Sequence, residues 1–130
     1  MDWQPLIDAA SEIRRHAHAP YSRYRVGAAL LVADGRIFAG ANVEFGIPAL
    51  GVCAERAAVV DALTSGARAF RALVVVTDSS PPASPCGLCR QTLVEHADDL
   101  PILLVNTAGE RHELRLSDLQ PRPFRFEPQA

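Results

Sequence analysis

There is no lysine in this 130-residue chain: the thirteen basic residues are all arginine, set against fifteen acidic ones for a formal net charge of −2. The arginines are scattered from Arg14 to Arg125 instead of gathering into a stripe. That excludes a long nucleic acid as partner, because binding a polyanion requires clustered cations that displace its counterions. A small neutral or weakly charged ligand fits this balance better. Long apolar runs are also missing, and none approaches the roughly 20 residues that a membrane helix needs. The first residues, "MDWQPLIDAA", have neither the basic start nor the apolar middle of a secretory leader. The expectation is a cytoplasmic protein with no membrane partner. Repeats, low-complexity stretches and linkers are absent too, so residues 1–130 are read as one domain. Close to half the residues are apolar, enough for one core.

Cysteine is scarce, and its few copies are unevenly placed. The chain has three, and two of them stand in "SPCGLCRQTL", residues 84–93. An odd number argues against a disulfide framework. Taken alone, Cys86-x-x-Cys89 fits a metal clip, a redox pair or coincidence. A redox pair leaves Cys53 without a role, whereas a metal clip calls for a third ligand and finds it there.

The hydrophobic pattern places these cysteines on structural elements. Leu6, Ile7, Ala10, Ile13 and Ala17 form one stripe at helical spacing, ended near Pro20. Two apolar runs flank Asp34-Gly35, which predicts antiparallel strands over 26–33 and 36–43 joined by a tight turn. Residues 44–52 carry two glycines and a proline and read as loop. "CAERAAVVDALTSG" reads as a helix stopped by Gly66. "RALVVVTD" and "PILLVN" have the continuous apolar character of strands buried on both faces. Between them lie the proline-rich loop 79–85 and a helix beginning at Cys86. "RHELRLS" alternates like a strand with one wet face, Ser117-Asp118-Leu119 can start a helical turn, and the rest is a tail. The order α-β-β-α-β-α-β-β implies an α/β domain, a mixed sheet of about five strands covered by helices.

Both cysteine segments follow one pattern: loop, cysteine, helix. Three thiolates around Zn²⁺ carry excess negative charge, which is costly to bury unless positive charge lies nearby. Two helix N-termini supply partial positive charge. Arg56, one turn into the first helix, can add a full charge, and Arg90 beside Cys89 can do so to a lesser degree. Three protein ligands leave the fourth tetrahedral position open, which is the arrangement of a catalytic zinc with a water of lowered pKa. Glu55 does not share a helix face with Cys53, yet in the first turn it can lean over that position and move protons. Its plain alternative is to complement the helix dipole. A structural zinc would require a fourth protein ligand, but His16, His18, His96 and His112 lack ligand-like spacing from the cysteines.

Cys53-Ala54-Glu55 followed by Pro85-Cys86-Gly87-Leu88-Cys89 resembles the signature of the zinc-dependent nucleoside and base deaminases. "APYSRYRVGAALL", "GANVE", "CAERAAV" and "SPCGLCRQTL" extend the likeness over almost the whole chain, toward the small cytidine deaminases of free nucleosides. The resemblance implies a three-layer sandwich, Zn²⁺ held by Cys53, Cys86 and Cys89, and Glu55 as proton shuttle. The implied reaction is hydrolytic removal of the amino group at C4 of cytidine or 2′-deoxycytidine in pyrimidine salvage. It also implies that Asn42 and Glu44 hold the ribose hydroxyls and that Tyr24 packs against the nucleoside. The backbone at Ala54 and Cys86 would meet the polar edge of the base. Phe124 would reach a neighbouring subunit's active site in a homotetramer. Taken from the residues alone, Asn42 equally suits turn chemistry, Tyr24 core packing and Phe124 a satellite contact.

One stretch departs from the family pattern. After Asn42-x-Glu44 the family usually continues with asparagine, small residues and a tyrosine, whereas this chain reads Phe45-Gly46-Ile47-Pro48-Ala49-Leu50. Two consequences are open, a modified substrate or a repacked subunit interface, and the second is favoured. Two other functions compete: deamination of a modified cytosine nucleoside or a cytosine-containing antibiotic, as in blasticidin S deaminases, and a non-catalytic zinc module on the same fold. The preserved spacing from Asn42 to Cys53 and the presence of Glu44 favour cytidine.

Overall fold

The computed structural model describes residues 1–126; residues 127–130 of the expected domain and tail lie outside the described residues. Its elements are α1 (Gln4–Arg14), β1 (Gly27–Val32), β2 (Ile37–Ala41), α2 (Ala54–Thr64), β3 (Phe70–Thr77), α3 (Gly87–Val94), β4 (Pro101–Asn106), β5 (Arg111–Arg115) and α4 (Leu116–Leu119). The sheet order is β2-β1-β3-β4-β5, with only the β3–β4 pair parallel. The expected mixed five-stranded sheet is therefore present. Asp34-Gly35 makes the β1–β2 turn, where Gly35 takes the positive φ of 94° that a side chain would resist.

Period-two alternation sends the strand side chains into two cores. Ala28, Leu30, Leu73, Val75, Ile102 and Leu104 face α2 and α3. Ala29, Ala72, Val74, Val76, Leu103 and Val105 share a cluster with Leu6, Ile7 and Ala10 of α1. The result is three layers, helix on sheet on helices. Burying each large aliphatic side chain stabilises the fold by about 1.5–3 kcal/mol. β3 and β4 read as unbroken apolar runs because both their faces are covered.

Several element ends differ from expectation. α1 stops at Arg14, short of Ala17 of the expected stripe, and α3 begins at Gly87 with Cys86 as its N-cap. The 44–52 loop contains a single 3-10 turn at Pro48–Leu50. A pair of hydrogen bonds between Val43 and Val52, each N–H to the other's carbonyl at 3.0 Å, closes this loop at its neck. His18 joins the same neck: its N–H donates to the Asn42 carbonyl at 2.9 Å, and the Glu44 N–H donates to its carbonyl at 2.7 Å. Asn42 and Cys53 are therefore held side by side.

Gly40 sets how closely α2 approaches the sheet. A Cβ at Gly40 would lie 2.5 Å from the Ala54 carbonyl oxygen and 2.5 Å from the Ala58 nitrogen, backbone atoms that cannot swing aside. We expect Gly40→Ala to destabilise the fold by about 2–3 kcal/mol and to weaken zinc retention, because the displaced turn carries Cys53. A urea midpoint equal to that of the unaltered chain would contradict this.

At the far edge, Asp99 accepts hydrogen bonds from the Arg115 guanidinium at 2.8 Å, the Ser117 N–H and hydroxyl at 3.1 Å each, and the Leu100 N–H at 3.0 Å. The Arg115 contact, followed by the Ser117 and Leu100 donors, holds its carboxyl at about 2, below the ordinary 3.8. A depressed carboxylate stabilises the fold above its unfolded pKa and loses that contribution as pH falls through its folded value. Asp99→Asn should therefore cost about 1 kcal/mol at neutral pH, after allowance for solvent screening of this partly exposed group. The difference should vanish as pH falls from about 4 to about 2. Urea titrations of both proteins across that range provide the check.

Candidate metal centre and active site

Cys53 is the N-cap of α2 and Cys86 the N-cap of α3, both in extended backbone conformation, with Cys89 in the first turn of α3. The three sulfurs converge: Cys53 Sγ lies 3.8 Å from Cys86 Sγ, Cys86 Sγ lies 3.5 Å from Cys89 Sγ, and all three fall within 4.8 Å of one another. Thiolates at the usual Zn–S length of about 2.3 Å stand about 3.8 Å apart in a tetrahedron. A soft sulfur donor set at this spacing fits zinc. Among the described residues it is the one cluster of three or more metal-ligating side chains.

The electrostatics are those of three thiols crowded on one spot. Hydrogen bonding from Cys89 and Cys86, with the positive charge of Arg56 added, holds the Cys53 thiol at about 6 against an ordinary 9.0. Cys89 moves the other way, because it donates toward Cys53 and is buried next to Glu55. The Arg56 charge favours the Cys53 thiolate. The Arg90 guanidinium donates to the Pro85 carbonyl at 2.8 Å, the Leu119 carbonyl at 3.0 Å and the Ser84 hydroxyl at 3.2 Å. This arginine ties the approach to Cys86 onto α4, a long-range contact that no local pattern reveals.

Glu55 is 6% exposed, the only charged residue buried among those described. Burial, reinforced by the neighbouring Cys53, pushes its carboxyl above the ordinary value. The simple helix-dipole role expected as an alternative does not require such burial.

A cavity of about 240 Å³ opens over this cluster, lined by Tyr24, Val26, Asn42, Cys53, Ala54, Glu55, Val75, Thr77, Ala83, Ser84 and Cys86. Six of the residues picked out from sequence therefore meet here: Tyr24, Asn42, Cys53, Ala54, Glu55 and Cys86. The Asn42 amide also serves the backbone, accepting from the Val26 N–H at 2.9 Å and donating to the Tyr24 carbonyl at 2.7 Å. Glu44 lies in an adjacent cavity with Tyr21, Phe45 and Pro48, where its carboxylate accepts the Tyr21 and Ser22 N–H groups and the Ser22 hydroxyl. Phe124 is 70% exposed, absent from both linings, and its carbonyl accepts from the Gln91 amide at 2.8 Å. Sequence reasoning did not find Val26, at the entry to β1, nor Val75, Thr77, Ala83 and Ser84. The only sequence signal of the last four is position, at the C-terminal end of a parallel strand and on the loop after it, where α/β sheets bind ligands.

The family model for the cytidine and deoxycytidylate deaminase zinc-binding region matches residues 2–103. A cytidine deaminase of Sporosarcina psychrophila is 42% identical over 125 residues, covering 95% of this chain and 92% of that one. A cytidine deaminase of Mycobacterium tuberculosis is 40% identical over 124 residues, covering 95% and 90%. The crystal structure of cytidine deaminase from Burkholderia pseudomallei superposes with a TM-score of 0.92 at 42% identity, over 95% of this chain and 100% of that one. The chain belongs to the cytidine and deoxycytidylate deaminase family.

Proposed function

We propose that the protein hydrolyses cytidine and 2′-deoxycytidine to uridine and 2′-deoxyuridine with release of ammonia. The observation that carries this reading is a buried carboxyl, Glu55, sharing one cavity with two of three converging thiols. Cys53, Cys86 and Cys89 would hold zinc. When bound, zinc supplies a Lewis acid that brings the pKa of water down to about 7. Glu55 takes the protons of the attacking water and delivers them to the pyrimidine. One proton ends on ring nitrogen N3 and the other on the departing amino group, while the C4–N bond breaks and the water oxygen becomes the C4 carbonyl. Tyr24 provides an aromatic wall for the base, and the backbone at Ala54 and Cys86 meets its polar edge. The cavity is smaller than the roughly 300 Å³ at which ligand sites usually begin, which suits a single-ring base with its sugar directed outward, toward Asn42 and Glu44.

The same reading gives the enzyme a cytoplasmic role in pyrimidine salvage as a homotetramer. The assembly part is supported by exposed apolar side chains at Phe45, Ile47, Leu50 and Phe124; sedimentation tests it. Purified zinc-loaded protein incubated with cytidine should lose cytosine absorbance and release one ammonia per uridine formed. No uridine at micromolar enzyme would refute the reading. A parallel incubation with deoxycytidine and with blasticidin S separates it from an antibiotic deaminase.

A further inference from the structure

We propose that Ser79 is a positioning residue for the substrate, a latch that seats the 78–85 loop as one wall of the cavity; this rests on the cytidine reading above. Among the described residues, Thr77 and Asn106 are the only buried polar side chains other than Glu55. They face each other at the paired C-terminal ends of the parallel strands β3 and β4, and both bond to Ser79. The Ser79 hydroxyl shares a hydrogen bond with Thr77 Oγ1 at 3.0 Å, and the Asn106 amide donates to the Ser79 carbonyl at 3.2 Å. From this anchored position the Ser79 hydroxyl also meets the Tyr24 hydroxyl at 2.9 Å. Tyr24 lines the cavity from the segment before β1, while Ala83, Ser84 and Cys86 line it from the loop Ser79 begins.

The loop is thus fastened at both ends. Arg90 grips Ser84 and Pro85 at its end, and Ser79 fixes its start. Only the Ser79 end bonds to the Tyr24 hydroxyl. Buried polar groups satisfied in this way are costly to leave half-bonded, so one arrangement of ring and loop is selected. Its effect falls on binding, because none of these hydroxyls belongs to the sulfur cluster or Glu55.

The test is kinetic and structural. Ser79→Ala should raise KM for cytidine about 5- to 10-fold, with kcat within about twofold and zinc content unchanged. Tyr24→Phe should raise KM similarly, the double variant should be no worse than the more severe single one, and Ser79→Thr should restore KM. Amide hydrogen exchange at Ser80, Ala83, Ser84 and Cys86 should quicken in Ser79→Ala and Tyr24→Phe alike. Unchanged exchange in both, an unchanged KM, or a double variant showing the product of the two single effects overturns the latch. Failure of the unaltered enzyme to convert cytidine overturns the functional reading instead, and the exchange experiment still decides the latch.

Discussion

Glu55→Gln is expected to retain a full complement of zinc and a stability at least equal to that of the unaltered chain, while kcat for cytidine falls by about 10²–10⁴-fold. The amide keeps the length and shape of the carboxyl, so it opens no cavity beside α2. It also removes a group whose ionised form is penalised by burial, so neutral-pH stability should not suffer. Only the capacity to accept and return a proton is lost. Turnover within twofold of the unaltered enzyme would contradict the assignment of Glu55 as proton shuttle. Loss of zinc would show that the carboxyl had a structural role at the sulfurs.

Removal of a ligand should have the complementary effect. Cys86 is exposed whereas Cys89 is fully buried, so Cys86→Ala removes a sulfur without opening a hole in the core. Zinc affinity should fall by more than the roughly 100-fold that accompanies loss of an outer partner of a metal site. Activity should disappear with it, and the thermal midpoint should drop to that of the chelator-treated parent. Elemental analysis after dialysis measures the first effect directly. A variant that retains one zinc per chain would show that the sulfurs do not hold the metal.

The comparison of sequence with structure divides by the range of the contacts. Asp34-Gly35, the two-faced burial of β3 and β4, and the helices opening at Cys53 and Cys86 are all set by neighbours along the chain, and all were legible. Three thiols in two segments were also enough to anticipate their convergence into one metal-binding cluster. What escaped depends on residues far apart in sequence. Arg90 carries the charge expected of a tuning residue, yet its three partners lie on the 79–85 loop and α4. Thr77 and Ser79 look like ordinary strand-end polar residues until Asn106 and Tyr24 are brought to them by strand pairing. Glu44 is two residues from Asn42 and was expected to work beside it. Its carboxylate is instead taken up by the Tyr21 and Ser22 N–H groups and the Ser22 hydroxyl, donors from the segment before β1.

The neck that Val43, Val52 and His18 form behaves like a drawstring. The chain enters and leaves the 44–51 excursion at one hydrogen-bonded neck, so a change of residue at its tip need not move the sulfur that follows. Such a segment can change composition, lengthen or acquire a new recognition role at little cost in loop-closure entropy. The unusual run from Phe45 to Leu50 can therefore take on a surface role of its own while the neck keeps Cys53 in place.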